Sequence, residues 1–108
     1  YNGEFVEGDM QGEGVYHWAD GRSFSGHWAS NQMHGQGIFT WPDGRVYEGQ
    51  YVRDVKQGQG TLNWPDGRKY RGQWKRGKLH GNGLYTNAEG EERAGVWDEG
   101  KRTKWANE

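Results

Sequence analysis

This sequence contains no cysteine, which removes disulfides, thiolate nucleophiles and cysteine metal ligands together. Aliphatic side chains are scarce, with only 31% of residues hydrophobic and a mean hydropathy of -1.28. No apolar run approaches the length that spans a bilayer, and no signal-peptide pattern opens the sequence. The QGEG and QGQG stretches are followed by neither Gly-Lys-Ser nor Gly-Lys-Thr, so they are not phosphate-binding loops. No nucleophile stands beside a general base in a recognisable pattern.

Low hydropathy of this kind often accompanies disorder, but the aromatic content of 15%, with 7 Trp, argues the other way. Apolar area is held in a few large rings rather than spread over aliphatics. Those rings recur with glycine at a fixed interval of 23 residues. One column reads Tyr1, Phe24, Tyr47, Tyr70, Arg93; two residues on come Gly3, Gly26, Gly49, Gly72, Gly95, then Phe5, Trp28, Tyr51, Trp74, Trp97. A second set contains Gly12, Gly35, Gly58, Gly81 and Gly14, Gly37, Gly60, Gly83, followed by Tyr16, Phe39, Leu62, Tyr85 and then Trp18, Trp41, Trp64, Asn87. All 20 glycines fall on this grid, so the unit of structure is the repeat. Each unit buries its face against its neighbours and needs no thick central core.

Within a unit, Tyr47, Gly49 and Tyr51 alternate at period two, as do Gly58, Gly60, Leu62 and Trp64, and Pro65-Asp66-Gly67 supplies a strong turn. In the first unit these rules give a strand over 1–6, a loop over 7–11 and a strand over 12–18. The expected fold is all-β: an elongated, single-layer, twisted antiparallel sheet built from consecutive hairpins. Glycine opposite an aromatic leaves a floor on which the ring can lie, and nine or so strands would make a ribbon about 40 Å long. The twist should shape it into a trough with an aromatic inner face. The other face is polar with a thin aliphatic line, Val15, Ile38 and Leu84, broken by Thr61. The units run 1–23, 24–46, 47–69 and 70–92, with a partial copy over 93–100 whose last strand is 94–97. Residues 101–108, KRTKWANE, match nothing in the grid and are expected to be a cap or contact segment. Because Tyr1 is already in phase, the sequence is expected to be a piece of a longer array.

The unit Tyr-x-Gly-x-Trp, a gap, His-Gly-x-Gly and Asp-Gly, clearest in YRGQWKRGKLHGNG at 70–83, resembles the MORN (membrane occupation and recognition nexus) repeat. His34 and His80 match the family's His, and Gln11 and Gln57 stand there in the other copies. The resemblance implies a chain of antiparallel hairpins found in cytoskeletal and membrane-linked scaffolds, and so a cytoplasmic, cytoskeletal or membrane-face location. It implies partners that are proteins held in the groove, other copies of the array, or acidic phospholipids. The closing RAGVWDEGKRTKW is similar to the carboxyl end of apicomplexan scaffold proteins made of these repeats, which pair through that end.

Catalysis has little support in the residues. Asp20, Asp43 and Asp66 form a row of acids, but each precedes the glycine of a turn, which accounts for it. His17, His27, His34 and His80 have no metal-ligand spacing. The chain is therefore read as non-catalytic, without cofactor or metal, and two kinds of binding remain. Rings near arginine are the residue types of protein interfaces, which makes Trp28, Tyr51, Trp64, Trp74, Trp97 and Trp105 the protein-binding candidates; the competing reading is that they form the sheet's own core. Arg68, Lys69, Arg71, Lys75, Arg76 and Lys78 crowd one repeat and are the candidates for acidic phospholipid headgroups. Nucleic acid lacks the broad positive face it requires. Charge is also unevenly placed: residues 1–54 carry eight acids and three Arg, net -5, whereas 55–108 carry seven acids and eleven Lys or Arg, net +4. That asymmetry is the basis for expecting an antiparallel homodimer.

Overall fold

The computed structural model of this chain describes residues 1–105. They form one open antiparallel sheet of ten strands in sequence order, with no helix among the described residues. The strands are β1 Asn2–Val6, β2 Asp9–His17, β3 Ser23–Ala29, β4 Gln32–Thr40, β5 Val46–Val52, β6 Val55–Asn63, β7 Lys69–Lys75, β8 Lys78–Thr86, β9 Glu92–Asp98 and β10 Lys101–Trp105. The ribbon measures 53 × 24 × 17 Å. Its smallest dimension exceeds the ~10 Å spacing of flat stacked sheets, as expected of a single layer that twists and curls.

The register explains the glycines. Gly3, Gly14, Gly26, Gly37, Gly49, Gly60, Gly72, Gly83 and Gly95 pair one with the next, making an unbroken row of bare backbone across the first nine strands. Glycine therefore stands opposite glycine, not opposite an aromatic as the alternation alone predicts. The ring comes from the same strand, two residues earlier, and lies along it. Tyr47 covers Gly49 and Gly60: a β-carbon on Gly60 would sit 2.6 Å from Tyr47 Cζ, and one on Gly49 would meet the Gln59 carbonyl oxygen at 2.6 Å. Phe24 and Tyr70 lie the same way over Gly37 and Gly83. All three of these rings are fully buried, although the sheet has only one layer.

The next column closes the core. Trp28, Tyr51, Trp74 and Trp97 stand edge-on to the flat rings and are 2–6% exposed. The result is a chain of T-shaped contacts with centroids 4.9–6.2 Å apart, running Phe5, Tyr1, Trp28, Phe24, Tyr51, Tyr47, Trp74, Tyr70, Trp97, Trp105. Edge-to-face is the arrangement the ring quadrupole favours. Trp28 and Trp74 also donate their indole N–H to the carbonyls of Gly14 and Gly60, both at 3.0 Å, and Tyr47 and Tyr70 donate to the carbonyls of Gln50 and Gln73 at 2.9 Å.

Strands β2, β4, β6 and β8 begin earlier than period two alone predicts. The expected loop at 7–11 shrinks to the two residues Glu7-Gly8, and β2 opens at Asp9. Both residues of each such turn have positive φ, as in Ser30 (50°) and Asn31 (68°), the requirement of a type I′ hairpin. The surplus residues enter a bulge, where the register shifts between Gly49 and Tyr51 and between Gly72 and Trp74. Gly58 (φ 89°) and Gly81 (φ 66°) take the left-handed conformation there. The amides that follow them are satisfied by Gln50 and Gln73 side chains, at 2.8 and 3.0 Å.

At the carboxyl end, β9 spans Glu92–Asp98, longer than the expected 94–97, and Lys101–Trp105 is a strand paired with it. The expected cap or contact segment 101–108 is thus a strand as far as Trp105, and 106–108 lie outside the described residues. Trp105 pairs with Gly95 and ends the glycine row.

Gly49→Val should lower the unfolding free energy by about 1–3 kcal/mol, because its side chain would collide with the Gly60 and Gln59 backbone on β6 and with the Tyr47 hydroxyl above it. Thermal denaturation followed by circular dichroism would report this as a drop in Tm of several degrees, and an unshifted Tm would contradict ring-on-glycine packing.

Candidate interaction surfaces

Two long edges and two faces are available for function. One edge carries the Trp-x-Asp-Gly-Arg turns, with Ala19, Pro42 and Pro65 at x. In each, the Asp carboxylate accepts from the amide and from Nε of the Arg two residues on: Asp20 from Arg22 at 3.1 and 2.7 Å, Asp43 from Arg45 at 3.0 and 2.8 Å, Asp66 from Arg68 at 3.0 and 2.8 Å. The amide bond chiefly holds each carboxyl below the ordinary aspartate range. The guanidiniums then lie over Trp18, Trp41 and Trp64, 4.8–5.3 Å from the ring centroids. The acid row is thus engaged within its own turns. Asn87, where the fourth tryptophan would stand, replaces this device by accepting from the amides of Glu89 and Glu91 at 3.0 and 2.9 Å.

The opposite edge is tied from repeat to repeat. The turn residues Asn31, Asp54, Gly77 and Gly100 donate their amides to the carbonyls of Met10, Met33, Lys56 and Leu79, each one repeat earlier. Asn31 and Asp54 also accept from the amides of Met10 and Met33 at 2.8 Å. The column containing two of the histidines does related work: Gln11 and Gln57 accept from the amides of Ser30 and Arg76 at 2.9 Å, and His34 from that of Arg53 at 3.4 Å. His34 is a structural link, and His80 lies 3.8 Å from Asp98. No group of three potential metal-ligating residues converges among the described residues.

Of the six rings proposed for protein binding, Trp28, Tyr51, Trp74 and Trp97 are core residues with almost no free surface. Exposed ring position could not be read from their spacing, because buried and half-buried rings share the same period. Trp64 and Trp105 are half-buried and retain surface. Trp105 is covered by two guanidiniums, Arg93 and Arg102, each 4.3 Å from its centroid. The surface of the aromatic face is made instead by residues not singled out as binding candidates: Tyr16, Trp18, Trp41, Leu79 and Tyr85 are all half-buried against the core. The signal of all but Leu79 was legible as the two later aromatic columns, Tyr16 and Tyr85 in one and Trp18 and Trp41 in the next.

The basic cluster is divided. Arg68 sits in its turn, stacked on Trp64. Lys69, Arg71 and Lys75 alternate with the buried Tyr70, Gly72 and Trp74 and so face the opposite side of the sheet. Lys75 and Lys78 are direct cross-strand partners, a like-charge pairing that is unfavourable unless countered. With Arg76 and His80 they line a cavity of about 330 Å³ whose far wall carries Asp98 and Glu99. Among the proposed lipid-binding residues, Lys75, Arg76 and Lys78 are together at one tip, and Arg68 is at the other edge.

Burial pushes the Tyr70 phenol up to about 12, and Tyr47 and Tyr51 are raised further by the same desolvation. An acid whose folded pKa exceeds its unfolded value keeps its proton in the native state while the unfolded chain loses it. The contribution of these tyrosines to stability should therefore be constant below about pH 10 and fall as pH rises toward Tyr70's folded value. Denaturant melts across that interval should show it, and Tyr70→Phe should flatten the slope.

The MORN repeat family model matches residues 1–21, 24–44, 47–67 and 70–92, the same phase as the hairpin units. No curated protein matches the chain significantly. MORN repeats are non-catalytic repeat modules known in protein-interaction and membrane-associated proteins.

Proposed function

Because the chain belongs to the MORN repeat family, we propose that it is a non-catalytic scaffold that takes a polypeptide segment along its aromatic face and pairs with a second copy in a cytoskeletal or membrane-apposed assembly. The observation that carries this reading is the set of half-buried side chains Tyr16, Trp18, Trp41, Trp64, Leu79 and Tyr85 on a face that no second layer covers. Partly exposed apolar side chains on an uncovered face are what a docked segment packs against.

The charge asymmetry favours an antiparallel pair, with the acidic amino half against the basic carboxyl half. The half-buried Trp105 is the remaining ring surface at the carboxyl end, since Trp97 is buried within its own chain. Light scattering should give twice the monomer mass at low salt and a shift to monomer as salt screens the attraction. A monomer at all ionic strengths, at tens of micromolar, would remove the dimer.

A second reading, as a module for acidic phospholipids, is favoured by Lys75, Arg76 and Lys78 around one hairpin tip. Charge reversal at these three residues should abolish pelleting with phosphoinositide-containing vesicles. Pelleting that survives the reversal would discard this patch.

A further inference from the structure

One column of the aromatic face contains Met10, Met33, Lys56, Leu79 and Arg102. Each pairs across its own hairpin with the ring of one column: Met10 with Phe5, Met33 with Trp28, Lys56 with Tyr51, Leu79 with Trp74 and Arg102 with Trp97. The column packs on the rings, and at its centre stands a lysine. The Lys56 Nζ lies 5.0 Å from the Trp41 centroid, 5.4 Å from Tyr47 and 6.0 Å from Tyr51. Ring quadrupoles are its principal compensation. Among the described residues, no carboxylate is within ion-pair distance of it.

The charge that does act on Lys56 is Arg45, of the same sign, and partial burial already depresses the ammonium pKa. Asp54 is near in sequence, but its carboxylate accepts from the Met33 amide at 2.8 Å, and Asp43 is engaged with Arg45. A cation in this position has lost part of its hydration and gained no counter-ion. An anionic group brought to it from outside would gain more than it would at an ordinary surface lysine, because the local dielectric is lower.

We propose that Lys56 is the specificity-determining residue of the aromatic face, selecting a polypeptide segment that places an Asp or Glu carboxylate on its ammonium between apolar side chains directed at Trp41 and Leu79. The proposal rests on the reading of the face as a segment-binding surface and adds the chemistry of the segment. Successive column members are two strands apart, ~9.6 Å. The apolar contact with Leu79 should therefore lie about three residues from the acid in an extended segment, or about six in a helix, whereas the contact with Trp41, whose ring is 5.0 Å from the ammonium, should lie nearer the acid.

The test is selection from a random-peptide display library on three immobilised full chains: wild type, Lys56→Met and Trp41→Ala. Methionine already occupies this column at Met10 and Met33, so Lys56→Met should retain the fold, checked by its melting curve. The expected result is enrichment of one acidic position, with apolar flanks, on wild type but not on Lys56→Met. The synthetic wild-type-selected peptide should then bind about tenfold more weakly when its acid is changed to the amide, with little such difference on Lys56→Met. Peptides of equal acid content on wild type and Lys56→Met would overturn the role of Lys56 while leaving segment binding intact. Failure to enrich any peptide on wild type, or enrichment unaffected by Trp41→Ala, would overturn the binding face itself and the proposal with it.

Discussion

An aromatic ring lying flat across two glycine α-carbons on adjacent strands sets the geometry of every full repeat in this chain. A single-layer sheet has no second sheet or helix to bury its apolar face, so burial must come from within the layer. Glycine makes that burial possible by removing the β-carbons that would hold the ring away from the backbone. Tyr47 over Gly49 and Gly60 is the central instance, with no residual exposure. Tyr51 and Trp74 then have flat rings against which to stand on edge, and the T-shaped contacts pass from hairpin to hairpin. The backbone entropy that glycine loses on folding is offset by ring burial that no larger residue would permit.

This dependence explains the behaviour of the two ends. At the carboxyl end the leading ring is absent, because Arg93 stands in that column. Trp105 arrives from the neighbouring strand, opposite Gly95, and the Arg93 and Arg102 guanidiniums cover it. The floor is occupied by a different route. At β1, Phe5 is 58% exposed, in contrast to the buried Trp28, Tyr51, Trp74 and Trp97 of the same column. Those four each meet two flat rings or a substitute, whereas Phe5 meets Tyr1 alone among the described aromatic pairs. Stability in such an array is a sum of neighbour contacts, and each end shows what one missing neighbour does.

Polar groups follow the same neighbour logic. Side chains of Gln11, His34 and Gln57 reach the next repeat's turn, while Asn31 and Asp54 reach back to the preceding strand. These bonds hold successive hairpins in one register without adding a second layer. Arg22, Arg45 and Arg68 are held between an acid and a tryptophan. Lys56 differs from them in having rings and no acid, and that difference separates a structural cation from one with binding capacity left.

The hairpin succession, the repeat length and the turn at each Asp-Gly were determined by the sequence alone, because periodic glycine and ring positions leave few ways to place a strand. The extra residues at 9–11 were not legible as strand, since a bulge and a left-handed glycine break the alternation by which strands are recognised. Nor could spacing say which rings stay uncovered. Trp28 and Trp41 are equally regular in the sequence, yet one is enclosed between flat rings and the other lies at the rim under an arginine. Only the tertiary structure decided this, and with it the split of the basic cluster and the isolation of Lys56. Burial and charge compensation depend on neighbours one or two repeats away, and those are set by strand pairing across the sheet, not by local order along the chain.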